Sequence, residues 1–541
     1  MTRSDWMAQV LRLARIGQTC ARTGDEVGEA VARGTPDSQD RRRLMQAAVG
    51  GVAAAGLGAM APPLLAATAQ DARAVYARLT NTRGVAVVGA GLAGLACATE
   101  LTRLGVPAKV FESAQRVGGR CWSARNVFPG QVAERGAEFI GSSHHAMLGY
   151  ARALGLPLEA VDGDRGRSSA FHHFAGQRHS DAEIADEFRA FADFIREDLE
   201  PLGAPHAERF CARAEALDFM TLDEYLTLYG ASGLLRSVLG NAFLGEFGSD
   251  LDEVSALAFL RFVYGDRRSK FALQGTGESL RVVGGNDLIA TGLAQKLPQP
   301  VQLGHRLVAV TRRLGGTVRL TFDLRGKYVQ RDFDAVVLAM PFSVLRDVEM
   351  RGVEMSAWKR QAIDKSEMGD SSRLLVGFSR PYWREAGASG SGKADLPNLQ
   401  NAWETNPSRA GRAGAVIAHQ VGGQAARSLL PASLQMDAVG FVASLEEVLP
   451  GAMQAVSRDR RGRILATSQN WSTDPNSRGA FPRPQPGYFT RIAHAEAGAV
   501  DNLLFAGDHT SSFYEWQGFM EGAVLSGLRA ASEASTLFRG G

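Results

Sequence analysis

The pattern of apolar and polar positions in residues 84–112 predicts a strand, a helix and a second strand in close succession. Val85–Val88 is a short continuous apolar run, which is typical of a buried strand. Leu92–Leu104 has apolar residues at helical spacing, and Gly105 ends that pattern. Ala108–Phe111 predicts the second strand. The segment is therefore expected to form a complete βαβ unit.

Three glycines with G-x-G-x-x-G spacing connect the first strand to the helix. Gly89 suits the tight turn, Gly91 lets the backbone approach a pyrophosphate, and Gly94 lets the helix pack on the strand. The helix N-terminus offers free amides and a positive dipole to phosphates. Glu112 ends the second strand, where an acid binds the ribose hydroxyls of the adenosine half. This unit predicts a dinucleotide site made of Gly89, Ala90, Gly91, Leu92, Ala93, Gly94, Glu112 and Ser113.

Later apolar runs predict further strands at Val336–Met340, Leu374–Phe378 and Leu503–Ala506. Gly507-Asp508 follows the last run, and a stretch crowded with aromatic residues comes next. A helical pattern then opens near Gly518 and continues towards the C-terminus. A packed helix would need only the last part of this stretch, so the acid and the rings indicate a site.

Length and composition limit the classes of protein that fit. The 541 residues exceed one ordinary core, so we expect two domains. Apolar content of 45% and charged content of 22% are typical of a soluble globular protein. The net charge is only +3 and the basic residues are scattered, which argues against a nucleic-acid partner. The four cysteines match no metal-ligand spacing, so no metal site is expected.

The first 70 residues have the pattern of a leader and not of a domain. Arg41, Arg42 and Arg43 precede a stretch from Leu44 to Gln70 that contains no charged residue. Ala67-Thr68-Ala69 is a small-x-small cleavage pattern, and the arginine pair resembles a twin-arginine export signal. We therefore expect export to the periplasm or cell envelope without stable membrane insertion. A retained membrane anchor is the alternative, because the run is long enough to span a bilayer. The stretch within residues 6–17 could form an amphipathic helix.

A second glycine-rich turn distinguishes between two classes of dinucleotide. Gly118-Gly119-Arg120 follows soon after Glu112, which suits a cofactor longer than NAD. Its backbone could lie against a flavin half, with Arg120 near the pyrophosphate or the ring edge. The alternative is a surface turn with a solvated arginine. The two glycine-rich turns together favour FAD over NAD.

Several blocks between residues 84 and 535 resemble the flavin-dependent amine oxidase family, which includes monoamine, polyamine and L-amino-acid oxidases. The blocks are Gly89–Leu95, Glu112–Arg120, Glu134–Gly141, Val283–Leu288, Val336–Pro341, Met368–Arg384 and Phe505–Ala531. The resemblance implies an α/β and α+β architecture with a discontinuous Rossmann-like FAD domain formed by residues 84–142, 273–342 and 482–541. The substrate domain would comprise residues 143–272 and 343–481, with a mixed sheet and helices. The substrate would lie between the domains, against the flavin.

The resemblance also implies which residues would contact the flavin. The segment beneath the ring would be Gly136, Ala137, Glu138 and Phe139, and the C-terminal block would contribute Gly507, Asp508, Gly518, Phe519 and Met520. Leu307 is also expected at the cofactor. Asp508 would accept from a ribityl hydroxyl or lie near the phosphates, and the helix near Gly518 would stabilise negative charge on the reduced flavin.

The reaction implied is oxidation of an amine to an imine, which then hydrolyses to a carbonyl compound and ammonia. Aromatic rings would hold the neutral amine beside the flavin. Phe481 and Phe519 occupy the positions of the family's two cage rings, and Trp516 and Tyr514 could contribute. The alternative for each ring is an ordinary place in the core. His144 and His145 are expected at a helix start on the surface.

Two positions depart from the family pattern. The monoamine oxidases attach flavin through a cysteine, whereas the matching stretch here is Arg478–Phe481, so we expect non-covalent FAD. Arg373 takes the place of the family lysine near the flavin, which gives a fixed fork instead of a mobile point charge. Because this lysine affects how the reduced flavin reacts with oxygen, its replacement leaves two electron acceptors open: oxygen, or an envelope cytochrome or quinone.

Phe139 stands where L-amino-acid oxidases carry an arginine that binds the carboxylate, and Glu138 precedes it. An acid and a ring favour an amine substrate, although Arg281 or Arg373 could serve a carboxylate. An L-amino-acid oxidase is therefore the second hypothesis. A lipid desaturase and a non-catalytic flavoprotein are more distant alternatives, and a homodimer is left open.

Overall fold

The computed structural model describes residues 5–33, 84–161, 169–199, 202, 209–261, 279–407, 414–511 and 516–539. The arginine run and the uncharged stretch of the expected export signal lie outside these residues, as does Tyr514. Within the described residues, no helix has the length and the apolar character needed to cross a bilayer.

The strands, numbered along the chain, are β1 Val85–Val88, β2 Ala108–Phe111, β3 Ser123–Ala124, β4 Ala133–Glu134, β5 Ile140–Gly141, β6 Leu158–Ala160, β7 Ser169–Phe174, β8 Gln177–Arg178, β9 Ser279–Val282, β10 Arg306–Arg312, β11 Val318–Leu324, β12 Lys327–Phe333, β13 Ala335–Leu338, β14 Glu349–Arg351, β15 Glu367–Gly369, β16 Ser371–Phe378, β17 Ala388–Leu396, β18 Leu399–Glu404, β19 Ala415–Gly422, β20 Ala466–Asn470, β21 Phe481–Arg483 and β22 Leu503–Phe505.

The helices are α1 Asp5–Thr23, α2 Val27–Arg33, α3 Leu92–Arg103, α4 His145–Ala153, α5 Asp181–Leu199, α6 Ala212–Phe219, α7 Leu222–Leu228, α8 Gly233–Phe247, α9 Asp287–Lys296, α10 Phe342–Leu345, α11 Ala357–Lys365, α12 Gln424–Ser428, α13 Leu434–Val448, α14 Ala452–Ala455, α15 Tyr488–Arg491 and α16 Met520–Arg539.

A parallel sheet with the order β2-β1-β13-β22 forms the centre of the first half of the molecule. Its strands come from three distant parts of the chain, and each is almost wholly buried because helices cover the sheet. α3 and α16 pack together so closely that a Cβ on Gly527 would lie 3.0 Å from the carbonyl carbon of Ala93. The predicted βαβ unit is confirmed at β1, α3 and β2.

A second sheet of mixed direction forms the other half, with the order β20-β16-β19-β18-β17-β7-β8. Neighbouring strands are antiparallel except for β17 and β7, which run parallel. The two sheets use the chain segments that the sequence predicts for the cofactor and substrate domains. The domain boundaries themselves stay predictions.

The expectation that the first 70 residues lie outside the fold is wrong for residues 5–33. These residues form α1 and α2, and Met7, Val10 and Leu13 are at most 1% exposed. The predicted amphipathic helix is confirmed. Its apolar face is buried in the core of the protein, whereas a cleavable leader segment would not be packed there. It belongs to the hydrophobic core cluster that also includes α5 and α8.

Candidate active site

The turn after β1 has a backbone that only glycine can adopt without strain. Gly89 has φ +110°, and a Cβ there would overlap the carbonyl of Ala339, lying 2.9 Å from its carbon. A Cβ on Gly94 would overlap the carbonyl of Gly89 and lie 3.0 Å from its carbon. These two glycines are therefore required by the fold, because they bring α3 against the end of β1.

Gly91 differs from its two neighbours in the motif. Its φ of −73° and ψ of −178° are extended values that any residue adopts, and a Cβ there would meet no heavy atom within 4 Å. Neither backbone conformation nor packing explains a glycine at this position. It opens space at the N-terminus of α3, next to Leu92 and Ala93, where no side chain caps the helix and its first amides would be available to an anion. This open cradle fits the pyrophosphate of a dinucleotide.

Glu112 ties the first turn to the segment that follows β2. Its carboxylate accepts from the amide of Ala90 at 2.7 Å and from the amide of Ala114 at 2.8 Å. The hydroxyl of Ser113 donates to Asn476 at 2.7 Å. Glu112 is 7% exposed, so the acid that the sequence places at the ribose also holds the loop around it. Its contact with a ribose stays a prediction.

The second glycine turn lies directly against the first. The amide of Gly118 donates to the carbonyl of Ala90 at 2.9 Å, and a Cβ on Gly119 would lie 3.4 Å from the Cα of Gly91. Arg120 then donates to the carbonyl of Ala480 at 2.5 Å and forms an ion pair with Asp508. The alternative of a solvated arginine on a surface turn is therefore wrong.

The C-terminal block meets this ion pair at the end of β22. Gly507 has φ +138°, and its amide donates to the hydroxyl of Ser526 at 2.8 Å. This turn directs Asp508, which is 4% exposed, towards Arg120 and not towards solvent. Sequence reasoning gave these two side chains separate contacts with the cofactor. The structure joins them into one charged pair at the meeting point of three chain segments.

The segment 134–138 is held in place by Arg373 from β16. Its guanidinium donates to the carbonyl of Gly136 at 2.7 Å and to the carboxylate of Glu138 at 2.9 Å. The indole of Trp403 also donates to Glu138, at 3.1 Å, and the guanidinium lies 4.9 Å from the centre of its ring. The side chains of Arg373 and Glu138 are 12% and 1% exposed. Burial lowers the pKa of Arg373, and Glu138 opposes that shift.

Backbone packing shows why this segment is so closely held. A Cβ on Gly136 would overlap the carbonyl of Arg120 and lie 2.9 Å from the ring of Trp471. The amide of Ala137 donates to the same Arg120 carbonyl at 3.1 Å. Phe139 is half-buried, with its ring centre 6.0 Å from that of Trp403. The segment therefore runs beside the Gly118–Arg120 turn, and its place beneath a flavin stays a prediction.

Glu134 belongs to a buried polar group that the sequence did not reveal. It accepts from Ser123 at 2.7 Å and from the amide of Asn286 at 2.8 Å. Burial raises its pKa to about 7. The side chain of Asn286 in turn donates to the carbonyl of Glu138 at 2.7 Å. The only sequence signal was the pair of acids in the block Glu134–Gly141, since Asn286 is 152 positions away.

An aromatic group of His144, Trp516 and Phe519 lies at the start of α16. The ring of His144 is centred 5.0 Å from Trp516 and 5.5 Å from Phe519, both edge to face. Trp516 and Phe519 are 5.8 Å apart. The prediction of a helix start is confirmed at α4, but His144 is not on the surface, because it is 4% exposed. Burial lowers its pKa to about 4, so this ring is neutral near pH 7.

Glu521 joins the two helices that carry this aromatic group. Its carboxylate accepts from the amides of Ala146 and Met147 at 2.8 and 2.9 Å, at the N-terminus of α4. Gly518 has φ +83°, and α16 begins at Met520, which is 7% exposed. Glu521 thus neutralises the free amides of α4 and fixes the position of the rings.

Two other predicted positions are on the strands β21 and β10. Phe481 is half-buried on β21, where it faces Gly369 of β15 across the ladder. Leu307 is 5% exposed on β10, within the core cluster that contains Phe111 of β2. The assignment of both residues to substrate or cofactor stays a prediction.

Three buried histidines predict a loss of stability in acid. Burial lowers the pKa of His144 to about 4, and those of His419 and His509 to about 3, from an ordinary 6.5. Below about pH 6.5 these histidines are protonated in the unfolded chain but stay neutral in the folded protein. Each of them therefore lowers the free energy of unfolding as the pH falls towards its folded pKa. Glu134 and Glu496 act oppositely, because burial raises both carboxyl pKa values to about 7.

Replacing His509 isolates one of these contributions. The ring nitrogens of His509 have no hydrogen-bond partner among the described residues, so His509→Phe removes a proton site without breaking a bond. We expect the free energy of unfolding to become less dependent on pH between 6.5 and 4, by up to about 1.4 kcal/mol per pH unit. Urea titrations at several pH values measure this slope. His145→Phe is the matched exposed control. Equal slopes in His509→Phe and the wild type would contradict the expectation.

Comparison with known proteins agrees with this geometry. Residues 92–535 match the sequence profile of the family described as flavin containing amine oxidoreductase. The putative flavin-containing monoamine oxidase AofH of Mycobacterium tuberculosis is 29% identical over 469 residues, which cover 84% of this chain and 97% of that protein.

Solved structures show the same fold. Cyclohexylamine oxidase from Brevibacterium oxydans superposes with a TM-score of 0.71 at 20% identity, covering 84% of this chain and 99% of that one. Wild-type putrescine oxidase bound to putrescine gives a TM-score of 0.69 at 21% identity, with the same coverage. At these identities the likeness establishes the architecture, a discontinuous Rossmann-like domain with a mixed substrate domain.

Proposed function

Because the chain belongs to the flavin-containing amine oxidoreductase family, we propose that it uses non-covalent FAD to oxidise a primary or secondary amine. The imine formed would hydrolyse to a carbonyl compound and ammonia or a smaller amine. Family membership supplies the reaction class, and the relatives are named as a putative flavin-containing monoamine oxidase, a cyclohexylamine oxidase and a putrescine oxidase.

The residues present fit FAD. The open position at Gly91, the amides at the start of α3 and the adjoining Gly118-Gly119 turn form a continuous backbone cradle. When bound, FAD would accept the hydride equivalent that leaves the amine's α-carbon. Gly136 and its neighbours would support the ring, with Arg373 and Glu138 holding that segment still.

Non-covalent attachment is proposed because Ala480 stands where a cysteine would be needed. The described stretch around Ala480 contains no thiol, and its carbonyl is bound by Arg120. Among the described cysteines, Cys97 and Cys121 are buried and burial raises both thiol pKa values, which disfavours the reactive thiolate. Acid precipitation should leave FAD in the supernatant, whereas yellow precipitate would contradict this.

The pairing of both candidate arginines is the observation that favours an amine over an amino acid. Arg281 binds Glu159 through two nitrogens, at 2.8 and 2.5 Å, and donates to the carbonyl of Thr405. Arg373 is committed to Glu138 and to the backbone of segment 134–138. Recognition of a substrate carboxylate needs an available guanidinium fork, so engaged arginines make an amine the better fit.

The aromatic group would hold the amine in its neutral form. Near pH 7 His144 carries no charge, and aromatic edges and faces offer no carboxylate that would keep an amine protonated. The amide of Gly141 donates to Nδ1 of His144 at 3.1 Å, so Nε2 carries the proton. His144 therefore orients the ring of Phe519 without competing for the substrate's proton.

Phe519→Leu tests whether this ring contacts substrate. We expect KM for the amine to rise about tenfold, corresponding to a loss of about 1.4 kcal/mol, because leucine lacks the flat ring against which a neutral amine packs and to which its N–H groups point. FAD content should not change. Phe219→Leu, which changes a largely exposed ring on α6 beneath Arg491, is the control. An unchanged KM for Phe519→Leu would show that Phe519 only packs.

The electron acceptor and the cellular location belong to the proposal as well. Arg373 in place of the family lysine, together with the twin-arginine-like segment, supports an exported enzyme that passes electrons to oxygen or to an envelope cytochrome or quinone. Steady-state turnover in air, with and without cytochrome c, separates the two acceptors. Substituting Arg41 and Arg42 by lysine should prevent export if the signal is a twin-arginine signal.

Product analysis tests the activity itself. Purified holoenzyme should release a carbonyl compound and ammonia from members of a panel of primary amines, or a smaller amine from secondary amines, and it should leave L-amino acids unchanged. Release of 2-oxo acids from L-amino acids instead would establish the second hypothesis.

A further inference from the structure

One face of α1 is buried against the substrate half of the molecule. Met7, Val10, Ala14 and Gly17 recur at helical spacing, and the first three are at most 1% exposed. The helices that α1 contacts on this face are α5 and α8. α2 extends the contact through Val27, which is 5% exposed.

The contact with α5 is specific in register. A Cβ on Gly17 would overlap the carbonyl oxygen of Ala185 and lie 2.5 Å from the amide nitrogen of Arg189. It would also lie 2.9 Å from the carbonyl carbon of Phe188. The two helix backbones are thus at a distance that only glycine permits. Because Gly17 is the one glycine of α1, shifting α1 along α5 would put a larger residue at this contact.

Polar contacts fix the same register at the start of α5. The side chain of Gln9 donates to Asp181 at 2.8 Å, and Arg12 lies 3.3 Å from its other carboxylate oxygen. His172 of β7, which is 6% exposed, approaches the same carboxylate at 3.2 Å. Asp181 therefore joins α1 to the large sheet of the substrate half.

We propose that residues 5–33 are a helical ligand of the α5–α8 face that stays bound whether or not the chain between it and the body is intact. The apolar stripe, the glycine contact and the Asp181 contacts form an interface of the kind that an amphipathic helix makes in a groove. A chain processed after Ala69 would then be a two-chain protein that keeps residues from both sides of the cut. The proposal does not depend on the reaction catalysed.

Cleavage of the full-length holoenzyme tests this directly. A protease recognition sequence inserted between Asp37 and Ser38 lies beyond the end of α2. After cleavage, verified by denaturing electrophoresis, the fragment that contains α1 and α2 should co-elute with the yellow body in native gel filtration. Separate elution of the fragment would overturn the proposal.

Two glycines in this segment provide a matched pair of variants. Gly17→Leu should release the fragment after cleavage, because its side chain cannot fit against α5. Gly28→Leu should retain it, because a Cβ on Gly28 of α2 would meet no atom within 4 Å. We expect the retained fraction to differ at least about tenfold between the variants. Equal retention would show that the fragment is held without the α1–α5 contact, which contradicts the proposal.

Discussion

Gly91→Leu is expected to abolish FAD binding while leaving the fold intact. In the structure this position has an extended backbone and open space around its Cβ, so the protein alone tolerates a side chain there. With cofactor bound, the leucine would occupy the place of the pyrophosphate. Overpacking costs about 1–3 kcal/mol in a core that can yield and more where it cannot, and neither the pyrophosphate nor the backbone of the turn can move aside, so we expect Kd for FAD to rise by at least about a hundredfold.

The measurement for Gly91→Leu is the FAD stoichiometry of purified protein, together with circular dichroism and the melting temperature of the apoprotein. Gly94→Leu is the contrasting variant, because its side chain would collide with the carbonyl of Gly89 and should destabilise the apoprotein itself. Gly498→Leu, where a Cβ would meet no atom closer than 3.8 Å, is the neutral control. Yellow Gly91→Leu protein with normal stoichiometry would overturn the cradle.

Arg373→Met is expected to be among the most destabilising single substitutions in the substrate half. It would leave Glu138, which is 1% exposed, without the guanidinium that pairs with it at 2.9 Å. Removing one partner of a buried ion pair costs about 3–5 kcal/mol, because the remaining charge is desolvated without compensation. The segment 134–138 would also lose its hydrogen bonds from Arg373, so FAD content should fall as well.

A double-mutant cycle separates the ion pair from general packing. Glu138→Gln removes the charge and keeps an acceptor for the indole of Trp403, so Arg373→Met with Glu138→Gln should recover at least about 1 kcal/mol of the free energy of unfolding lost in Arg373→Met. Arg373→Lys keeps the charge without the fork and should lie between. Additive effects of the two single substitutions would mean that the pair is not energetically coupled.

The parts of the site that are local in sequence were predictable. β1, α3 and β2 follow from apolar spacing within residues 84–112, and the glycines that shape the turn lie in the same short stretch. Local patterns also placed α16, although it begins at Met520 and not at Gly518. Such features depend on the conformational preferences of residues that are close together in the sequence, so a short stretch is enough to predict them.

The parts that depend on distant segments were not predictable. Arg373 and Glu138 are 235 positions apart, and no local pattern in either segment indicates that the two side chains form an ion pair. His144 is buried because Trp516 and Phe519, which directly precede α16, cover it, whereas local polarity alone suggested the surface. α1 was recognisable as an amphipathic helix, but an apolar stripe does not say whether a membrane or a helix such as α5 covers it.

Anaerobic titration of the bound flavin tests the central claim most directly. The holoenzyme, free of oxygen, is mixed with single primary and secondary amines, and the visible absorbance of oxidised flavin is followed. Amine oxidation predicts that at least one amine bleaches the flavin and that L-amino acids do not. Bleaching by L-amino acids alone, or by no member of either panel, would contradict the account.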